Sequence, residues 1–234
     1  DLDGDGEMEI IYGARVYDGT DGSLLWSLYS SETYTPEFAW HAIVQADTDT
    51  SPEILWIEEG IWAVTEHDGT TKTTIKNAFG TVSAPCIADF DGDGAPEMGL
   101  FYSNAIGVWE LDGTPLWTPI PVFDTTSGLS ACSAFDFDND GAAELVYGDQ
   151  RTLKIIDGKT GAVLEQSGDR CSATGIEYPV IADVNNDGSP EILSASQSFV
   201  SSVNEDCTTV GGGLRAFGHN GTGWARSGQT WGFY

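Results

Sequence analysis

Apolar residues recur along this chain in short runs bounded by Asp, Gly, Asn and Thr, and no segment sustains the 3.6-residue apolar period of an amphipathic helix. The pattern predicts short strands joined by turns. In one stretch Ala84-Pro85-Cys86-Ile87-Ala88 enters an acidic loop and Glu97-Met98-Gly99-Leu100-Phe101-Tyr102 leaves it. Gly107-Val108-Trp109-Glu110-Leu111 follows, closed by Asp112-Gly113, a dipeptide suited to a hairpin because its glycine accepts positive φ. Leu116-Trp117 then begins a last strand. The same order returns as Ala14-Arg15-Val16-Tyr17, Asp18-Gly19 and Leu24-Leu25-Trp26, and again as Leu153-Lys154-Ile155-Ile156, Asp157-Gly158 and Ala162-Val163-Leu164. An all-β chain with almost no helix is expected.

The acidic loops set the period. They read Asp-Leu-Asp-Gly-Asp-Gly-Glu-Met-Glu from Asp1, Asp-Phe-Asp-Gly-Asp-Gly-Ala-Pro-Glu from Asp89, Asp-Phe-Asp-Asn-Asp-Gly-Ala-Ala-Glu from Asp136 and Asp-Val-Asn-Asn-Asp-Gly-Ser-Pro-Glu from Asp183. A fifth, Ala46-Asp47-Thr48-Asp49-Thr50-Ser51-Pro52-Glu53-Ile54, lacks the Asp-Gly step. Counted from their first acids at 1, 47, 89, 136 and 183, the units are 46, 42, 47 and 47 residues apart. That is room for about four short strands, the size of a propeller blade. The N-terminus at Asp1 falls inside the first unit, so the chain is expected to be cut from something longer.

Charge narrows the function classes. Of 234 residues 37 are acidic and 9 basic, a net charge of −28, which excludes ordinary electrostatic binding to nucleic acid or anionic membrane. With 40% hydrophobic and 11% aromatic residues the acidity does not signal disorder. No stretch approaches the roughly 20 apolar residues of a membrane helix.

Oxygen ligands at alternating positions, with glycine where the chain doubles back, suit a hard cation such as Ca2+. In this frame positions 1, 3, 5 and 9 supply side-chain oxygens: Asp1, Asp3, Asp5 and Glu9; Asp89, Asp91, Asp93 and Glu97; Asp136, Asp138, Asp140 and Glu144; Asp183, Asn185, Asp187 and Glu191. Position 7 (Glu7, Ala95, Ala142 and Ser189) supplies a main-chain carbonyl, and Gly141 is expected at positive φ. Three to four Ca2+ ions are expected, with none in the shortened loop at Asp47. The alternative, that such clusters are plain solvated turns, is weakened by four copies in one frame. An EF-hand needs a ligand at position 12, where this chain has Tyr12, Leu100, Tyr147 and Ser194.

On these motifs the sequence resembles the FG-GAP or VCBS repeat family, the calcium-loop β-propellers also found in integrin α subunits. The resemblance implies four-stranded blades with each loop joining a blade's first two strands, and ions on one rim. Five units are visible, and the resemblance implies a larger ring, such as the family's seven. Glu at position 9 and Asn185 at position 3 depart from the usual Asp. The stretch Gly213 to Gly218, with Trp224-Ala225-Arg226 and Trp231, is similar to the end of the repeat region in secreted bacterial proteins of this kind.

Four cysteines in an apparently extracellular chain suggest two disulfides with three possible connectivities, or four buried thiols. Cys86 and Cys132 occupy entering strands of consecutive units, and Cys171 and Cys207 flank the last, which makes Cys86–Cys132 and Cys171–Cys207 the expected pairs. Trp26 and Trp117 recur at equivalent places and read as core, whereas Trp40, Trp56, Trp62 and Trp109 are candidates for rim residues that stack on sugars. No nucleophile, zinc or phosphate motif accompanies His41, His67 or His219. The expected function is a non-catalytic extracellular or cell-surface adhesion module for a protein or glycan ligand, with self-assembly as a further use. Its binding surface is expected in the variable loops Ser30 to Phe38, Phe123 to Leu129 and Ser196 to Gly211. A propeller-based polysaccharide lyase or hydrolase is one competing reading, and a structural subunit that polymerises through blade edges on a surface filament or assembly is the other.

Overall fold

The computed structural model describes residues 1–28, 39–58, 61–76, 82–124, 130–168, 170–172, 177–197, 211–219 and 224–225. Their strands form five antiparallel sheets in chain order, and no helix occurs among the described residues. The first sheet is β1 (Glu9–Tyr12), β2 (Arg15–Asp18) and β3 (Leu24–Ser27). The second is β4 (Trp40–Val44), β5 (Glu53–Glu58), β6 (Ile61–Thr65) and β7 (Thr71–Lys76). The third is β8 (Cys86–Ala88), β9 (Glu97–Tyr102), β10 (Ala105–Trp109) and β11 (Ile120–Pro121). The fourth is β12 (Cys132–Phe135), β13 (Glu144–Gly148), β14 (Leu153–Ile156) and β15 (Val163–Ser167). The fifth is β16 (Val180–Ala182), β17 (Glu191–Ser196) and β18 (Gly213–Phe217).

The second, third and fourth sheets cover both faces of their second strand, and alternation along it assigns one face to each neighbour. On β5, Ile54 and Trp56 pack with Val16 of the first sheet, while Leu55 and Ile57 pack with Met98 and Leu100 of the third. On β13, Leu145 and Tyr147 face Phe101 and Val108, and Val146 faces Ile192. Four apolar clusters thus join the sheets in series. None joins the fifth to the first among the described residues, so the arrangement is propeller-like without a closed ring.

Two further devices fix neighbours together. The Trp26 indole donates its Nε1 hydrogen to His67 O (2.9 Å) and the Trp117 indole donates to Gly158 O (2.8 Å), each reaching the hairpin turn of the next sheet. Both turns require glycine: a Cβ on Gly69 would lie 2.8 Å from the Trp26 ring, and one on Gly161 2.5 Å from Trp117, at φ of +87° and +72°. The second device is the disulfide between Cys86 of β8 and Cys132 of β12, with Cα atoms 5.5 Å apart. Cys171 is also disulfide-bonded, while its expected partner Cys207 lies outside the described residues.

The tryptophans expected at a rim are placed differently. Trp56, Trp62 and Trp109 are buried between sheets and Trp40 packs against the same core, because β5, β6 and β10 each have two covered faces. Of the loops expected to bind a partner, residues 30–38, 125–129 and 198–210 lie outside the described residues.

Candidate metal centre

The acidic loops join the first two strands of the second to fifth sheets, and the loop from Asp1 leads directly into β1. In the third sheet the loop from Asp89 is held by its own side chains. Asp91 Oδ1 accepts the Asp93 N–H (3.0 Å), Asp93 Oδ1 accepts that of Ala95 (2.8 Å), and the Asp89 carboxylate accepts those of Gly92 (2.6 Å) and Gly94 (2.9 Å). Glu97 closes the loop, its Oε2 accepting the Phe90 N–H (2.6 Å). Asp91 and Asp93 therefore each engage one oxygen with backbone and leave the other for the loop interior. The result is a converging set in which carboxylate oxygens of Asp89, Asp91, Asp93 and Glu97 all lie within 4.8 Å of one another.

Burial and charge in this set favour a cation. Glu97 is fully buried, and its Oε1 has no hydrogen-bond partner among the described residues. Burial, followed by the nearby Asp91 and Glu110 charges, pushes its carboxyl up to about 7. Glu110, at the hairpin that follows β10, is itself raised by burial and then by Asp91, Asp93 and Asp112. A set of oxygens with uncompensated negative charge suits a hard divalent ion.

The other loops vary this scheme. Asp1, Asp3 and Asp5 converge in the first, and Asp136, Asp138 and Glu144 in the fourth, where burial pushes Glu144 up to about 7. Asp140 turns outward to Lys159, 2.8 Å away, whose hydrogen bond holds the Asp140 carboxyl below its ordinary value. In the fifth loop Asp183, Asp187 and Glu191 form no such converging group, and Asn185 donates its Nδ2 to Glu191 Oε1 (2.7 Å). Positions 4 and 6 both take positive φ, at Gly92 and Gly94, Asn139 and Gly141, and Asn186 and Gly188. Gly141 is as expected; position 4 uses asparagine or glycine for the same reason.

The loop of the second sheet is not shortened. Glu53 Oε2 accepts the Ala46 N–H (2.6 Å), as Glu97 Oε2 accepts that of Phe90, so Glu53 is position 9 and Gln45 is position 1. Counting from Asp47 displaced the frame by two residues. What distinguishes this loop is chemical: glutamine replaces the first aspartate, and Thr48 and Thr50 stand at positions 4 and 6 without positive φ. Lys72 of β7 reaches into it, pairing with Asp47, with Glu53 Oε1 (3.0 Å) and with Glu66 Oε1 (2.7 Å). Sequence reasoning missed Lys72, Glu66 and Glu110. The two glutamates had one signal, each standing two residues before Asp-Gly in its hairpin, and Lys72 had none.

A second buried polar group lies on the fourth sheet. Burial would raise the Asp149 carboxyl, but the hydrogen bond from Lys154 (2.5 Å) and the N–H groups of Arg151 and Thr152 hold it below its ordinary value. Arg170 pairs with Glu177 at 3.0 Å, and burial raises the neighbouring Tyr147 hydroxyl. These pairs neutralise one another within the core.

The sequence pattern of the FG-GAP-like repeat matches residues 89–147 and 136–194. Residues 89–194 thus carry FG-GAP-like repeats. No curated protein matches the chain at a significant level. Among solved structures, the V. cholerae biofilm matrix protein Bap1 superposes with a TM-score of 0.74 at 16% identity, over 99% of this chain. The chain spans 64% of that protein's length. The exotype rhamnogalacturonan lyase YesX gives 0.54 at 19% identity, over 85% of this chain and 34% of its own. BamB from Moraxella catarrhalis gives 0.51 at 16%, over 80% and 55%. At such identities the likeness is one of fold.

Proposed function

We propose that this chain is an extracellular, calcium-stabilised binding or adhesion module that holds a partner without turning it over. The observation that carries the calcium reading is Glu97 Oε1, buried and unpartnered at the centre of an all-oxygen set. The set fits Ca2+, which accepts six to eight oxygens in flexible geometry, better than Mg2+, which prefers to keep its waters. Asp89, Asp91, Asp93 and Glu97 would hold one ion, with corresponding groups in the first and fourth loops. The fifth loop joins them if Asn185 turns its oxygen inward. The ion's contribution is to neutralise converging carboxylates and so fasten a sheet's first two strands together.

The extracellular assignment is supported by the Cys86–Cys132 disulfide, since reducing compartments disfavour such bonds. The fold likeness to a biofilm matrix protein supports adhesion, and the repeats belong to an arc of a larger propeller in this reading. The competing lyase reading rests on fold likeness to YesX. One experiment separates them: incubate the purified chain with acidic and neutral polysaccharides and with matrix proteins, in Ca2+ and in EDTA, measuring retention and released product. Retention without product supports the adhesion reading. Product formation that a substitution outside the acidic loops abolishes would replace it with the enzyme.

A further inference from the structure

The second loop brings carboxylates of positions 3 and 9 together as the third does, but with a positive charge already among them. Position 3 offers Asp47 Oδ2, the oxygen left over when Asp47 Oδ1 accepts the Asp49 N–H (2.8 Å). Position 9 offers Glu53 Oε1, left over when Oε2 accepts the Ala46 N–H. Glu66, which precedes its Asp-Gly turn by two residues as Glu110 does in the third sheet, completes the group. The Lys72 ammonium pairs with all three carboxylates, its three N–H donors matching three acceptors. In the third loop the oxygen equivalent to Glu53 Oε1 is Glu97 Oε1, and it is orphaned.

We propose that Lys72 is a built-in cation which occupies, in the second loop, the place a divalent ion takes in the third, and that it masks a latent divalent-cation site formed by Asp47, Glu53 and Glu66. The proposal rests on reading the other acidic loops as cation sites. Its consequence is that the second sheet is fastened independently of external calcium, while its neighbours are not. Lys72 lies on the outermost strand of its sheet, so the same contact also ties β7 to the loop between β4 and β5.

The test uses the full chain. Native mass spectrometry counts bound Ca2+ in the wild type and in Lys72→Met, and Tb3+ luminescence, excited through tryptophan, reports each site's filling. Lys72→Met is expected to bind one ion more than the wild type, and its melting temperature should rise further on adding Ca2+. In parallel, Asp47→Asn in the wild-type background is expected to leave the ion count unchanged, whereas Asp91→Asn lowers it by one. A folded Lys72→Met with no added ion overturns the proposal, as does an Asp47→Asn protein that loses one. Should Lys72→Met fail to fold, the Asp47→Asn count decides alone. If the wild type binds no Ca2+ at all while Lys72→Met binds one, the calcium reading of the other loops fails and the masked site stands.

Discussion

The second and third acidic loops close in the same way and are neutralised differently. In both, a glutamate at position 9 takes the N–H at position 2, which pins the first two strands of the sheet at a fixed separation. The third then leaves four carboxylates facing one another, with Glu97 half-satisfied; the second answers the same geometry with Lys72. A repeat can thus conserve its hairpin while changing who supplies the positive charge. The loop is a structural clasp first, and under the proposed calcium reading its need for an ion depends on what the outer strand carries.

The largest effect that should separate the two is chelation. An ion present at 100 times its Kd stabilises by about 2.7 kcal/mol, which in a domain of this size corresponds to roughly 5–10 °C per site. EDTA should therefore lower the melting temperature by ten degrees or more, with hydrogen exchange rising first around β8 and β9 and least around β4 and β5. Uniform loss of protection across all sheets would erase the distinction between the loops. Next in size is the disulfide, which fastens the third sheet to the fourth but does not touch the second. Replacing Cys86 and Cys132 together by serine should cost about 2–4 kcal/mol by urea titration, with or without Ca2+. A loss that Ca2+ fully repairs would show that disulfide and ion do the same job.

A paired substitution comes third. Glu53→Gln leaves Lys72 short of a partner and should destabilise by about 1–3 kcal/mol whether or not Ca2+ is present. Glu97→Gln should destabilise in Ca2+ and stabilise in EDTA, because there it removes an unpaired buried charge. The same sign in both media for Glu97→Gln would contradict the assignment of Glu97 as an ion ligand.

The last contrast is in pH. Burial raises Glu97 and Glu144 from the ordinary 4.5 to about 7 in the folded, ion-free chain. Between those values the folded state keeps protons that the unfolded chain has lost, so stability should fall as pH rises from about 4.5 to 7. Melting in EDTA at pH 5 should exceed that at pH 7.5, and saturating Ca2+ should reverse the order, since the ion must displace these protons. No inversion on adding Ca2+ would mean that neither glutamate faces the ion.

Much of this was legible in the sequence. The first three strands of the third unit, the hairpins at Asp112-Gly113 and Asp157-Gly158, and the Cys86–Cys132 pair follow from local chemistry repeated at a fixed spacing, whereas the last strand, expected from Leu116-Trp117, lies at Ile120–Pro121. The second loop was misframed because its count began at the first aspartate, and only the hydrogen bond from Ala46 to Glu53 shows which residue anchors the turn. Lys72 could not be found at all, since 19 residues separate it from Glu53 and its side chain crosses from β7 to β5. The tryptophans misled for a related reason. Alternation reveals a covered face only when the other is wet, and on β5 and β10 neither face is.

The indoles of Trp26 and Trp117 have a practical corollary for dissecting this molecule. Each lies on the last part of one repeat and is floored by a glycine in the turn of the next, at Gly69 and Gly161. A scissors cut at a repeat boundary would strip that floor away and leave a naked aromatic on the fragment's flank. Fragments meant to live alone should therefore run through the following Asp-Gly hairpin, so that the smallest separable piece is a pair of sheets and never a single one.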